Sequence, residues 1–296
     1  MTVGFRARLL LEQYRQNRLQ ILKECDKIYM RQKMRVINLA SGSKGNSTLI
    51  DSGKIKVLLD VGLSLVALEK RLELVNEKAE NIDAIVITHE HSDHIHCLVN
   101  FLKKYNAIAY VPSEIVNGFL KDIPESVREK IVEMKGYDFT IGDISVRPYA
   151  LPHDSIVCYG YSFVCGDKKV SFATDLGFMP ENVLEKIAQS NLVYIESNHD
   201  KKVLLGCAKY PYITKQRILG EHGHLSNEQC SKAIVSLAKL GTKYFVLSHL
   251  SENTNTVEIA YITNAKALEN AGFVLEKDVF LRYSRQDKPG NNFYFS

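Results

Sequence analysis

The six cysteines of this 296-residue chain (Cys25, Cys97, Cys158, Cys165, Cys207 and Cys230) form no CxxC pair and no framework spacing. A disulfide scaffold is therefore excluded, and reduced, mostly buried thiols in a cytoplasmic protein are expected. No apolar run approaches the ~18–20 residues that a membrane-spanning helix needs, so no membrane is expected as a partner. There is no Pro/Gly/Ser-rich linker between halves, no internal repeat and no low-complexity stretch, which argues against a multidomain array. A bulk charge of one sign is missing too. The formal net charge is +4, but residues 1–34 hold eight Lys/Arg against three Asp/Glu, and the other 262 residues hold 30 against 31. The body of the chain is near neutral, so its overall charge does not announce an anionic partner.

What is present begins with residues 1–33, which have apolar residues every three or four positions and no Gly after Gly4. They read as one amphipathic basic helix. The segment lacks the small-residue cleavage site of a transit peptide and the apolar core of a secretory signal. It is read as a basic N-terminal extension, or as sequence ahead of a true start at Met34. Residues 34–296 read as one α/β domain, long enough for a substantial core. Strands are expected at 35–39, 47–51, 56–60, 84–88, 107–111, 145–151, 159–164, 170–174, 192–196 and 244–247. Helices are expected at 65–75 with Ser64 as N-cap, about 93–105, 180–189, 227–240 and 255–270. Short strands followed by strands alternating with helices fit two sheets covered by helices on the outside.

Histidines are the concentrated feature. Three of the nine fall in Thr88-His89-Glu90-His91-Ser92-Asp93-His94, between an expected strand and an expected helix. His89 and His91 are two residues apart on extended chain and project to one side. Asp93 and His94 open the helix, where first-turn amides favour an anionic ligand. Four ligand-type residues in six positions point to metal, and imidazole with carboxylate suits zinc, manganese or iron. Such a loop can serve two neighbouring ions. His153, Asp175 and His249 each follow an apolar run, so strand ends from distant segments would supply the remaining ligands. His96 and His222 read as surface residues.

These residues resemble the metallo-β-lactamase superfamily, whose pattern is HxHxDH with a later His, a later Asp and a last His. The resemblance covers residues 34 to about 285 and implies an αββα sandwich of two mixed β-sheets flanked by helices, with metals at one edge. It implies that His89, His91 and His153 hold one ion, that Asp93, His94 and His249 hold another, and that Asp175 bridges them. Ser41-Gly42-Ser43-Lys44-Gly45-Asn46-Ser47, Glu196-Ser197-Asn198-His199-Asp200, Tyr210-Pro211-Tyr212 with Arg217, and Gly223-His224-Leu225-Ser226-Asn227 are similar to the YycJ/WalJ group. Members of that group are regarded as metal-dependent nucleases with 5′→3′ exonuclease action on DNA.

From this follow the functional expectations. Two divalent ions, zinc or manganese, would promote attack on a phosphodiester, with Asp93 at the reacting centre. His224, paired with Glu196, is the candidate proton donor to the leaving oxygen. Ser43, Lys44, Asn46 and Arg217 are candidate substrate contacts, and His199 and Asp200 candidate supports for a ligand. The expected partner is nucleic acid, DNA first, and a homo-oligomer is left open. Competing readings are an RNase-Z-like RNA or small cyclic phosphodiester hydrolase, and an ester, thioester or lactam hydrolase on the same metals. A ligand sensor that has kept the fold is the non-enzymatic alternative.

Overall fold

The structure, a computed structural model, describes residues 34–296. The basic helix expected over residues 1–33 lies outside them. Two seven-stranded sheets form the interior. The first runs, in spatial order, β14 (Asn292–Phe295), β1 (Met34–Ala40), β2 (Ser47–Asp51), β3 (Lys56–Leu59), β4 (Ala84–Val86), β5 (Ile108–Pro112) and β6 (Ile131–Met134). The second runs β13 (Phe280–Tyr283), β12 (Tyr244–Ser248), β11 (Leu192–Glu196), β10 (Lys168–Ala173), β9 (Tyr159–Cys165), β8 (Ile144–Ala150) and β7 (Phe139–Ile141). Each sheet is half antiparallel and half parallel: β3–β6 pair in parallel in one, β10–β13 in the other.

Strand alternation assigns each side chain to a layer. Val36, Ile50, Val57 and Val86 of the first sheet meet Val146, Phe163, Phe172, Tyr194 and Val246 of the second in the core between the sheets. Their neighbours Ile37, Leu49, Leu58 and Ile85 face outward onto the helices α1 (Leu65–Leu74), α3 (Leu98–Lys104) and α4 (Ser113–Gly118). Val193, Ile195, Phe245 and Leu247 likewise face α6 (Glu181–Ile187), α9 (Asn227–Lys239) and α10 (Val257–Asn270). The result is the four-layer αββα sandwich that the sequence led us to expect. Strands buried on both faces are continuous apolar runs, which is why 84–88 and 192–196 were readable as strands.

The helix expected at 93–105 is instead two short ones, α2 (Ser92–Ile95) and α3, broken at His96 and Cys97. The cause is the chain end of β3. Val61 N donates to the His94 carbonyl at 2.8 Å, and Cys97 N donates to the Val61 carbonyl at 3.0 Å. Those groups are thereby withdrawn from an uninterrupted helical ladder. The approach needs Gly62, because a Cβ there would stand 1.6 Å from the Asp93 carbonyl oxygen. Sequence periodicity did not find β6, β7, β13, β14 or the short helices α4, α5 (Glu125–Arg128), α7 (Lys201–Gly206) and α8 (Tyr212–Leu219). None exceeds eight residues, too short for a period to declare itself. Among the described residues, no helix is long and apolar enough to cross a membrane.

Candidate metal centre

The carboxyl ends of the parallel strands, with the parallel-running β8, deliver the candidate ligands to one edge of the sandwich. His89 follows β4, His153 follows β8, Asp175 follows β10, Glu196 ends β11 and His249 follows β12. Asp93 and His94 lie in α2. The structure brings ligand atoms of His89, His91 and His153 within 4.8 Å of one another, and does the same for Asp93, His94 and His249. Asp175 stands between the groups: its Oδ2 is 3.3 Å from His94 Nε2, and its Oδ1 is 3.4 Å from His249 Nε2 and 4.0 Å from His153 Nε2.

A recurring device aims the imidazoles. His89 Nδ1 lies 2.9 Å from Thr88 Oγ1, and His94 Nδ1 lies 2.8 Å from Asp60 Oδ2. His153 Nδ1 lies 3.2 Å from the Gly223 carbonyl, and His249 Nδ1 lies 2.9 Å from Glu196 Oε1. In each ring one nitrogen is engaged outside the centre, and Nε2 is left to face inward, the arrangement that fixes ligand orientation at metal sites. Backbone strain accompanies it. Asp60, Asp175 and His249 have φ of 61°, 64° and 55°, left-handed conformations that non-glycine residues keep only where the surroundings enforce them.

The donor set fits a divalent cation. Among the described residues, His89 Nε2 and Asp175 Oδ2 are buried without a hydrogen-bond partner, a costly state for polar atoms in a protein interior. Electrostatics agree. Burial, with neighbouring histidines adding to it, holds His89 well below its ordinary range, so its nitrogen is a neutral donor. Burial also lowers His153, although Asp175 opposes this. Burial works against an ionised Asp93, but His94 and His249 overcome it and hold the carboxyl far below the usual range. Burial likewise opposes a charged His94, yet Asp175, Asp60 and Asp93 raise it well above normal, so the carboxylates here favour positive charge, which a bound cation would supply in place of the proton.

His224 adjoins this edge. Its Nδ1 is 2.8 Å from Glu196 Oε1, and the other Glu196 oxygen accepts from the backbone amides of Leu176 and Leu225, each at 3.1 Å. A Glu196–His224–His249–Asp175 grouping also has its donor atoms within 4.8 Å. With both oxygens committed to hydrogen bonds and its side chain fully buried, Glu196 orients the two imidazoles rather than offering itself as a ligand. Gly223 lets the loop close, since a Cβ there would come within 2.3 Å of the Arg217 and Ile218 carbonyls. Ser226 caps α9 through a reciprocal capping box with Gln229.

The remaining residues singled out from the sequence are placed unequally. A cavity of about 230 Å³ opens over the centre and is lined by Ser43 and Arg217 together with His91, Asp93, Asp175 and His224. Arg217 is in a bidentate pair with Asp154. Lys44 does not line the cavity and pairs with Glu252 at 2.6 Å on the surface. Asn46 is buried: its Oδ1 accepts from Gly42 N at 2.9 Å, and its Nδ2 faces Asp93 Oδ2 at 3.2 Å, a position beneath the ligands. Neither ring nitrogen of His199 has a hydrogen-bond partner among the described residues, and Asp200 caps α7 through Val203 N. Neither residue supports a ligand, contrary to expectation. His96 and His222 are exposed, as expected.

Sequence reading missed Asp60, the buried carboxylate that holds Thr88 and His94. The available signal was an Asp closing the apolar run 56–60, the same feature that marked Asp175. It also missed Asn198, which lines the cavity and donates to the His249 carbonyl at 2.9 Å.

Comparison with known proteins places the chain. The family model described as the metallo-beta-lactamase superfamily matches residues 40–249. The exodeoxyribonuclease WalJ of Streptococcus pneumoniae (serotype 2, strain D39 / NCTC 7466) is 36% identical over 237 residues, covering 79% of this chain and 87% of that protein. The exodeoxyribonuclease YycJ of Bacillus anthracis is 33% identical over 238 residues, covering 79% and 89%. Among solved structures, the metallo-beta-lactamase fold protein YhfI of Bacillus subtilis superposes with a TM-score of 0.67 at 15% identity. The match covers 88% of this chain and 99% of that one.

Proposed function

This chain belongs to the metallo-beta-lactamase superfamily, and from that premise we propose that it is a hydrolase of DNA, a two-metal exonuclease working 5′→3′. The relatives named as exodeoxyribonucleases support DNA as the substrate. The observation that carries the phosphodiesterase reading is the Glu196–His224 pair beside the ligand groups. A phosphodiester expels an alkoxide that needs a proton, and a histidine held on a buried carboxylate supplies one.

His89, His91 and His153 would hold one ion and Asp93, His94 and His249 the other, with Asp175 between them. Zinc or manganese suits the imidazole and carboxylate donors. When bound, two such ions supply the Lewis acidity that phosphodiester cleavage needs. The protein's own contribution is positional. Asp60, Thr88, the Gly223 carbonyl and Glu196 lock the imidazoles, and the cavity presents Ser43 and Arg217 to the substrate. Glu196 also accepts from His224 Nδ1 and aligns the ring, so that Nε2 serves the cavity. Among the described residues Cys97, Cys158, Cys207 and Cys230 are free thiols, which supports a cytoplasmic protein.

The test is hydrolysis by metal-loaded protein of end-labelled single- and double-stranded DNA, RNA, bis-p-nitrophenyl phosphate, a chromogenic lactam and a thioester. Cleavage of DNA and of the chromogenic phosphodiester is expected. Turnover of lactam or thioester with none of any phosphodiester refutes the proposal.

A further inference from the structure

No residue of α8 is buried. One side of it, with Tyr210 just before its start, lines the metal-side cavity through Thr214, Arg217 and Ile218. Another side presents Tyr212 and Ile213 to solvent, 76% and 79% exposed. Leu205 of α7 is 57% exposed, and its carbonyl accepts from Lys215 Nζ of α8 at 2.7 Å. Scattered exposed apolar residues are ordinary, but exposed apolar side chains on the helix that walls a reactive cavity mark a binding surface.

The same hairpin carries the positive charge that the rest of the domain lacks. Residues 199–224 hold five Lys/Arg against two Asp/Glu. Of the five, only Arg217 is ion-paired among the described residues. Lys209 Nζ donates to Asn253 Oδ1 and Lys215 Nζ to a carbonyl, which leaves both charges uncompensated. Asn253 also donates to the Tyr210 hydroxyl at 3.0 Å, holding that ring at the cavity wall. An exposed ring, Tyr212, and a half-buried one, Tyr210, interleaved with unpaired ammonium groups form a surface suited to unpaired bases and their phosphates.

We propose that the α7–α8 hairpin is a track for single-stranded DNA, on which Tyr212 stacks against a base and Lys209 and Lys215 neutralise backbone phosphates. Tyr210 receives the nucleotide that enters the cavity. This rests on the phosphodiesterase reading above and specifies the form of its substrate. An aromatic ring needs the open face of a base, and in a duplex those faces are covered by stacked neighbours. The cavity of about 230 Å³ is below the ~300–1,000 Å³ of pockets that enclose a whole small-molecule ligand. It admits a strand end with the remainder lying outside, along the hairpin.

The experiment is steady-state kinetics of the metal-loaded full chain on a 20-nucleotide single strand, on the same sequence as blunt duplex, and on bis-p-nitrophenyl phosphate. Tyr212→Ala should lower kcat/KM on the single strand about 5- to 30-fold, chiefly through KM. Tyr212→Phe should restore it, and the small phosphodiester should be hydrolysed as before by both variants. Lys209→Ala with Lys215→Ala should flatten the dependence of log(kcat/KM) on log salt by about 1.4. Equal loss on DNA and on the small substrate overturns the track, as does no loss on DNA. A Tyr212→Ala protein that becomes monomeric from a dimer by light scattering also overturns it, because the patch is then an interface between copies. If wild-type protein cleaves neither phosphodiester, the reading beneath the track fails with it; single-strand cleavage that ignores Tyr212 removes the track alone.

Discussion

His224 rests on Glu196: its Nδ1 lies 2.8 Å from a carboxylate oxygen whose residue is wholly buried. Burial opposes charge on Glu196, but His224 and His249 overcome it and hold the carboxyl below the usual range. The carboxylate therefore accepts from both imidazoles and fixes the direction in which each ring points. His224→Ala is expected to lower turnover of DNA by about 10²–10⁴-fold. Hydrolysis of bis-p-nitrophenyl phosphate should fall far less, because its leaving group departs without a proton. Equal losses on both substrates, measured with metal content matched, would show that His224 does not serve the leaving oxygen.

Asp60 acts one step further from the reaction. It accepts from Thr88 N at 2.9 Å and lies 2.8 Å from His94 Nδ1, so it sets the direction of His94 Nε2. Asp60→Asn is expected to weaken affinity for zinc or manganese about 10- to 100-fold. Titration calorimetry of metal-free protein reads this directly, and unchanged affinity would assign Asp60 to strand-end structure alone.

Removal of metal should cost stability as well as activity. Ligand bound at about 1,000 times its Kd stabilises a fold by about 4 kcal/mol, which is ~10 °C of Tm for a domain of this size. Dialysis against a chelator should lower Tm by that order, with recovery on adding back the ion. A Tm indifferent to chelation and reconstitution would contradict the assignment of the buried His89 and Asp175 atoms to metal.

His199 gives a pH signature independent of the metals. It is fully buried, and burial lowers its imidazole from 6.5 to about 4, against a smaller opposing effect of Glu196. The unfolded chain binds a proton near pH 6.5 while the folded protein does not. The stability contributed by a neutral His199 is therefore whole above pH 6.5 and is lost as pH falls towards 4. Between pH 7 and pH 5 the loss is roughly 2 kcal/mol. Urea unfolding of metal-free protein should show His199→Leu flattening the pH dependence by that amount; parallel profiles for the two proteins would refute it.

The sandwich was legible because its central strands are apolar on both faces and its long helices announce their caps: Ser64 caps α1 and Ser226 caps α9 in the structure. The cluster from His89 to His94 was legible because a short loop concentrates ligand-type residues. Asp60 showed only as a carboxylate closing an apolar run, the mark it shares with Asp175, and nothing local points to the His94 ring that it meets 34 positions later. Asn46 was read as a substrate contact from its glycine-flanked turn, and only packing shows its amide turned inward to Asp93. The hairpin of α7 and α8 was hidden for a related reason. Its helices bury almost nothing, so no hydrophobic period sets them apart from loop.

The central claim is that the ligand groups at this edge serve metal-dependent cleavage of DNA. The most direct measurement is the product pattern from 5′- and 3′-end-labelled single-stranded DNA treated with metal-loaded protein, alongside Asp93→Ala. The account predicts stepwise release of nucleotides from the 5′ end by the wild-type protein, and at least 10²-fold less by the variant. Intact DNA with the wild-type protein, or the same products at the same rate from Asp93→Ala, would contradict it.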